Sequence, residues 1–311
     1  MQKHSKILIP VDGSQQSLRA VGYVGRMFSK GSQIILFHVA AEVPEAFRDM
    51  DFDPTDCSLR YPLRIWKVHQ QELIHAFMEK TRQKVLDSGF SNEAIFLKSQ
   101  SMKSGIARDI LNESQQDYSA MVVGRIGRSQ LDTINMGSVA AKLVELTGHI
   151  PIIIVGEYPE SKKILVAFDG SAGSMKAVTC LGTLLDPSAC EVMICHVVRP
   201  LSIGQWSTKE LFMQKHETDW IESNKRKIVP AIMEAKRRLI DAGFSAEHLS
   251  SEILTYQESR AGAIAKAAGK GGYHTIVLGR RGYSSPGQFA IGRVTRKILN
   301  FAYQPALWIV N

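Results

Sequence analysis

Ala120-Met121-Val122-Val123-Gly124-Arg125-Ile126-Gly127, with Gly137-Ser138 arriving after nine more residues, is an apolar run that ends in a spaced set of glycines. The same order returns at Thr275-Ile276-Val277-Leu278-Gly279-Arg280-Arg281-Gly282, followed by Gly292-Arg293. In both places the last glycine opens a stretch of helical period, Ser138 to Val144 and Arg293 to Leu299. A strand, a glycine loop and a helix start are what an anion site needs. Glycine lets backbone N–H groups approach an oxyanion, and the unsatisfied amides of a first helical turn favour negative charge together with the helix dipole. One pair of glycines three apart would be ordinary turn chemistry. The repetition is what gives the pattern weight.

The repeat extends well beyond the glycines. Ile7-Leu8-Ile9-Pro10-Val11-Asp12-Gly13-Ser14 matches Ile164-Leu165-Val166-Ala167-Phe168-Asp169-Gly170-Ser171. Phe37-His38-Val39 matches Cys195-His196-Val197, Ser88-Gly89-Phe90-Ser91 matches Ala242-Gly243-Phe244-Ser245, and Gly105-Ile106-Ala107-Arg108 is set against Gly262-Ala263-Ile264-Ala265. Order and spacing mark a duplication, with units at 1–156 and 161–311 joined by the polar connection Glu157 to Ser161.

Within each unit, apolar runs alternate with helical segments, the pattern of an α/β fold whose parallel sheet carries helices on both faces. In the first unit, strands are expected over 6–11, 33–39, 94–99, 120–123 and 151–155. A helix follows Ser14, with Leu18, Val21, Val24 and Phe28 at helical spacing and a stop near Gly31. A longer helix around Trp66 to Asp87 lies behind a loop containing Asp49, Asp51, Asp53 and Asp56. That loop lacks the glycine and terminal glutamate of an EF-hand and reads as solvated.

The 311 residues have room for two domains, and a 44% hydrophobic content supplies a core for each. The first residues run directly into a strand with no signal-type segment, and no apolar stretch reaches the length of a membrane span, so a cytoplasmic protein is expected. Cys57, Cys180, Cys190 and Cys195 form neither a C-x-x-C pair nor a zinc-spaced cluster, which argues against disulfides and structural metal. The formal charge of +8 divides into +2 up to Gly156 and +6 beyond it. The excess lies in Lys225-Arg226-Lys227, Lys236-Arg237-Arg238 and Arg280-Arg281, of which the first two fall in a helical pattern and read as a solvated face. No nucleic-acid motif accompanies them.

In open α/β sheets, ligands collect beyond the carboxyl ends of the strands where the winding reverses. With the first and fourth strands adjacent there, Asp12 faces the Gly124 loop. Its carboxylate suits a ribose hydroxyl or a magnesium ion carried by phosphates; the blander reading is a cap on the following helix. Asp169 repeats the position. Val39 could offer backbone groups to an adenine edge, Ser138 could cap the last helix or donate to phosphate, and His38 and His196 read as packed residues.

These residues resemble the universal stress protein family, specifically its ATP-binding branch in tandem form. The resemblance covers nearly the whole chain and rests on G-x-x-G, nine residues, G-[Ser/Thr], with the first-strand aspartate. It implies two Rossmann-like, adenine nucleotide alpha hydrolase-like domains, each a five-stranded parallel sheet of order 3-2-1-4-5. It also implies a bound adenine nucleotide. Carried across by position, it places the binding residues Pro10, Val11 and Asp12 at the end of the first strand, Val39 near adenine, and Val123, Gly124, Gly127, Gly137, Ser138 and Val139 around ribose and phosphates. The second copy supplies Ala167, Phe168, Asp169, Val197, Leu278, Gly279, Gly282, Gly292, Arg293 and Val294.

Arg293 departs from the pattern, since a guanidinium cannot cap a helix with a hydroxyl; it either pairs with phosphate or folds into the cleft. Phe168, in place of Val11, is expected to add bulk there. The last strands of the two units would be exposed edges and are expected to cover each other, as family members pair through this strand, with further self-association unreadable. The resulting expectation is a stress-response protein that binds ATP or another adenine nucleotide in at least the first unit and thereby alters contacts with unidentified protein partners. No catalytic residue is assigned. The competing classes are a slow ATPase or phosphotransferase, for which no P-loop lysine, H-x-G-H or S-G-G-x-D-S signature is present, and a scaffold with empty clefts.

Overall fold

A computed structural model describes residues 5–43, 57–126, 136–156, 161–201, 214–255, 257, 259–283 and 290–311. The first copy runs β1 (Lys6–Pro10), α1 (Gln15–Met27), β2 (Gln33–Ala40), α2 (Cys57–Asp87), β3 (Ile95–Ser101), α3 (Ile106–Glu113), β4 (Ala120–Gly124), α4 (Ser138–Leu146) and β5 (Ile152–Val155). The second runs β6 (Lys163–Ala167), α5 (Ala172–Leu184), β7 (Glu191–Val197), α6 (Gln214–Asp241), β8 (Leu249–Leu254), α7 (Arg260–Gly271), β9 (Thr275–Gly279), α8 (Arg293–Phe301) and β10 (Ala306–Val310). The acidic loop residues Asp49, Asp51, Asp53 and Asp56 lie outside the described residues.

The ten strands form one sheet in the order β3-β2-β1-β4-β5-β10-β9-β6-β7-β8, so each copy has the 3-2-1-4-5 arrangement. Neighbours within a copy are parallel, which requires the crossovers that the helices provide. At the seam β5 and β10 run antiparallel, with Leu307 opposite Ile154, Trp308 opposite Ile153 and Ile309 opposite Ile152. The two terminal strands thus cover each other's edges.

This junction changes where the cores lie. Strand side chains alternate between faces, so Ile7 and Ile9 join a core under α1, α2, α5 and α6, whereas Leu8 joins one under α3, α4, α7 and α8. Each core contains residues from both copies. The expected division of one core per unit therefore gives way to one core per face, because the sheet is continuous across the seam.

Tertiary contacts also shorten α1. It ends at Met27 rather than near Gly31, and Phe28 turns extended (φ −88°, ψ 152°) while its N–H still reaches Val24 O. The Phe28 ring stacks on Trp308 at 5.5 Å, and its backbone bridges Leu185 of the other copy. Beside it the Trp308 indole donates to Tyr23 Oη (2.7 Å), which lies 3.0 Å from Thr275 Oγ1. Burial pushes the Tyr23 hydroxyl above the usual tyrosine range, so it stays a neutral donor.

One internal match shifts register. α3 starts after Gly105 (φ 114°), but Gly262 lies inside α7, which is capped by Ser259 through the Gly262 N–H (3.2 Å). Ser259, not Gly262, therefore occupies the place of Gly105.

Candidate functional site

β1 lies between β2 and β4, and β6 between β7 and β9, so Asp12 and Asp169 stand at the two points where the winding reverses. Each is followed by a glycine of positive φ, Gly13 (79°) and Gly170 (78°), a conformation that side chains resist. The turn lets Ser14 N–H donate to Asp12 Oδ1 and Ser171 N–H to Asp169 Oδ1, both at 3.0 Å. Ser14 and Ser171 then cap α1 and α5. Each aspartate thus shapes the strand-to-helix turn at the cleft floor. In the second copy Asp169 also meets the glycine loop: Tyr283 N–H donates to its Oδ2 at 3.3 Å.

The glycines divide by purpose. A Cβ on Gly124 would lie 2.8 Å from the main-chain carbon of Gln16, and one on Gly279 would lie 2.8 Å from that of Gly173. The first glycine of each motif is therefore demanded by the close approach of α1 or α5. A Cβ on Gly282 would meet the carboxylate end of Asp169 rather than main chain, so this glycine borders the cleft without being fixed by a packed helix. Gly127, its counterpart, lies outside the described residues. Gly137 N–H and Gly292 N–H close their loops onto Arg125 O and Arg280 O, each at 2.9 Å.

Gly137 and Gly292, rather than Ser138 and Arg293, are the N-caps of α4 and α8, and neither helix start has a side-chain cap. Ser138 and Arg293 are the exposed first helical residues, so the expectation that Ser138 caps the helix is corrected. No hydrogen bond occupies the amides of Ser138, Val139 and Ala140, or those of Arg293, Val294 and Thr295, among the described residues. Serines close α1, α5 and α7. α3 also opens at a glycine, but it carries its own buried anion, Asp109, which accepts from the N–H groups of Lys103 (2.7 Å) and Ser104 (3.0 Å). The two repeated motifs thus end in helix starts whose first amides have no hydrogen-bond partner among the described residues.

The remaining expected residues line these points mainly with backbone. Pro10 and Ala167 end β1 and β6. Val11 and Phe168 are buried in the core at 4% and 3% exposure, so Phe168 adds no bulk to the cleft. Val39 and Val197 pack their side chains into the other core, Val123 and Leu278 are buried beneath the glycine loops, and Val139 and Val294 pack on the same core. His38 and His196 hold Nδ1 against the carbonyls of Val11 (2.7 Å) and Phe168 (2.8 Å), the packed role anticipated for them. Burial holds His196 below its usual range. The basic residues of α6 pair along the helix, Lys225 with Glu222 and Arg237 and Arg238 with Glu234, as a solvated face does. A hollow lined by Ser119, Met175, Thr179, Cys180 and Arg238 flanks α5 and contains none of the cleft residues.

Sequence reasoning missed the second residue of each motif. Arg125 and Arg280 are buried at 2% and 7% exposure, and they reach across the seam. Arg125 donates to Ala302 O (3.2 Å) and Leu299 O at the end of α8, while Arg280 donates to Thr147 O (2.5 Å), Val144 O (2.7 Å) and Glu145 O (2.8 Å) at the end of α4. Each cation closes the negative end of the helix whose open start belongs to the other cleft. The clue was available, since arginine follows the first glycine in both motifs.

A family model described as the universal stress protein family matches residues 3–156 and again 160–309. The chain belongs to the universal stress protein family. As a tandem universal stress protein it is 30% identical over 153 residues to the universal stress protein YxiE of Bacillus subtilis (strain 168), a match covering 47% of this chain and 96% of that one. The fold agrees with a solved universal stress protein from Archaeoglobus fulgidus DSM 4304, at TM-score 0.57, 16% identity and 99% of each chain. It agrees equally with a functionally unknown protein from Pseudomonas aeruginosa PAO1, at TM-score 0.57, 16% identity, 99% of this chain and 93% of the other.

Proposed function

We propose that this universal stress protein is cytoplasmic and binds ATP or a related adenine nucleotide in the first unit, 1–156, using occupancy to alter its contacts with protein partners. A ligand that favours one conformation shifts its population by its differential affinity. The observation that carries the reading is the start of α4, whose first amides have no hydrogen-bond partner among the described residues, together with an aspartate at the point where the sheet winding reverses. In this reading Gly124, Gly127, Gly137, Ser138 and Val139 surround the phosphates, Asp12 meets a ribose hydroxyl or a magnesium ion riding on the phosphates, and the backbone near Val39 meets adenine. The second unit, 161–311, offers the same frame at Asp169, Gly279, Gly282 and Gly292.

The test is to denature freshly purified protein and weigh the small molecules released. An adenine nucleotide in amounts approaching the protein supports the reading. Protein that releases none, and that gains none on incubation with ATP, belongs to the scaffold class. Phosphate release in a single turnover that disappears in Asp12→Ala with the fold intact assigns an enzyme instead.

A further inference from the structure

Matching the copies element by element reveals a difference around the clefts. β2 and β7 set Arg199 at the place of Ala41, and the starts of α3 and α7 set Arg260 at that of Ile106. The ends of β4 and β9 set Arg281 against Ile126, and the starts of α4 and α8 set Arg293 against Ser138. Four positions that are uncharged in the first copy are arginine in the second.

Among the described residues, none of these four guanidinium groups forms a salt bridge. Arg199 is half-buried, and its Nε is buried without a hydrogen-bond partner. Burial first, and then the neighbouring charge of Arg199, hold Arg260 below the usual arginine range, while Asp169 acts in the opposite sense. Arg293 stands at the positive end of α8, an unfavourable place for a cation unless an anion joins it. Arginines around a cleft that have no ion-pair partner among the described residues are an arrangement suited to phosphate, through charge-assisted and forked hydrogen bonds.

Their positions divide into two groups. Arg281 and Arg293 belong to the glycine loop and the α8 start, on the β9 side of β6. Arg199 and Arg260 follow β7 and β8, on the opposite side of β6. Asp169, just beyond β6, lies between the groups. We infer that the second cleft takes a nucleotide phosphorylated on both sides of its ribose. Its 5′-phosphate meets Arg281, Arg293 and the open start of α8, its 3′-phosphate meets Arg199 and Arg260, and Asp169 takes the 2′-hydroxyl. This inference rests on reading the clefts as nucleotide sites, and it assigns them different ligands.

Calorimetry on the full chain with AMP and with adenosine 3′,5′-bisphosphate tests it. The bisphosphate should bind one site about tenfold or more tightly than AMP, the gain expected of one added charge-assisted contact. Arg199→Gln with Arg260→Gln should erase that gain while AMP affinity stays as it was. Arg260→Gln alone, at an exposed helix start, reports the same contact if the double variant unfolds. Equal affinity for the two nucleotides overturns the inference and spares the nucleotide reading, as does a gain that survives both variants. Failure of both to bind anywhere overturns the two readings together. A single-stranded oligonucleotide that binds through these arginines more tightly than the bisphosphate would assign the surface to nucleic acid instead.

Discussion

The two copies have the same strands in the same order and differ at the rims of their clefts. The first cleft is bordered by Ala41, Ile106, Ile126 and Ser138, the second by Arg199, Arg260, Arg281 and Arg293. What stays constant is the frame: the aspartate–glycine–serine turn, the histidine held to a carbonyl, the first glycine pressed on a helix, and the arginine that crosses the seam. Duplication therefore sorts residues physically. Those kept in both copies answer to the backbone, and those that changed fall in two places: the cleft rims, and buried positions such as Tyr23 and Thr275 at the seam and Phe168 in the core.

The largest expected effect breaks the part that is shared. Arg280→Met removes the donor that satisfies three carbonyls at the end of α4, leaving them inside the seam. A loss of about 3 kcal/mol is expected in urea unfolding, from the cost of stranding buried acceptors. An unchanged midpoint would show that water reaches those carbonyls.

A smaller loss sharpens the comparison at the seam, where the copies are unlike: Tyr23 has Cys180 as its counterpart, and Thr275 has Ala120. Tyr23→Phe deprives both the Trp308 indole and the Thr275 hydroxyl of their partner and should cost about 1–2 kcal/mol. Stability equal to the parent would place no weight on that buried chain.

The smallest effect concerns pH. Burial lowers the His196 pKa from 6.5, so the folded chain keeps this ring neutral while the unfolded chain takes up a proton. Its contribution is fully present above pH 6.5 and is lost as pH falls from there toward the lowered folded value. His196→Gln should narrow the difference between urea midpoints at about pH 7.5 and about pH 5.5. The same difference in parent and variant would remove His196 from the account.

Much of the fold was legible because apolar alternation and helical period are local signals. The strand over 120–123 and the helix that follows Ser14 are recovered almost residue for residue at their starts. What escaped was set at a distance. α1 stops at Met27 because Phe28 meets Trp308, far away in the chain, and the cores follow the faces because β5 joins β10. At the site, the glycine spacing pointed to the right loops but not to the separate duties of the glycines. Gly124 is fixed by Gln16, and Gly137 takes the cap assigned to Ser138. Nothing local in a glycine loop says that an arginine will reach a distant helix end, and only the packed seam reveals Arg125 and Arg280 as cross-seam caps.

The central claim is that the open start of α4 holds the phosphates of an adenine nucleotide. Gly137 has φ −64° and ψ 152°, angles that valine adopts, so Gly137→Val adds a side chain at the helix entrance without straining the backbone. Calorimetric titration with ATP, on parent and variant of equal melting temperature, reads the result. The account predicts saturable binding in the parent and a loss of about tenfold or more in the first cleft of the variant. Identical affinity in both, or a parent that takes up no ATP, would contradict it.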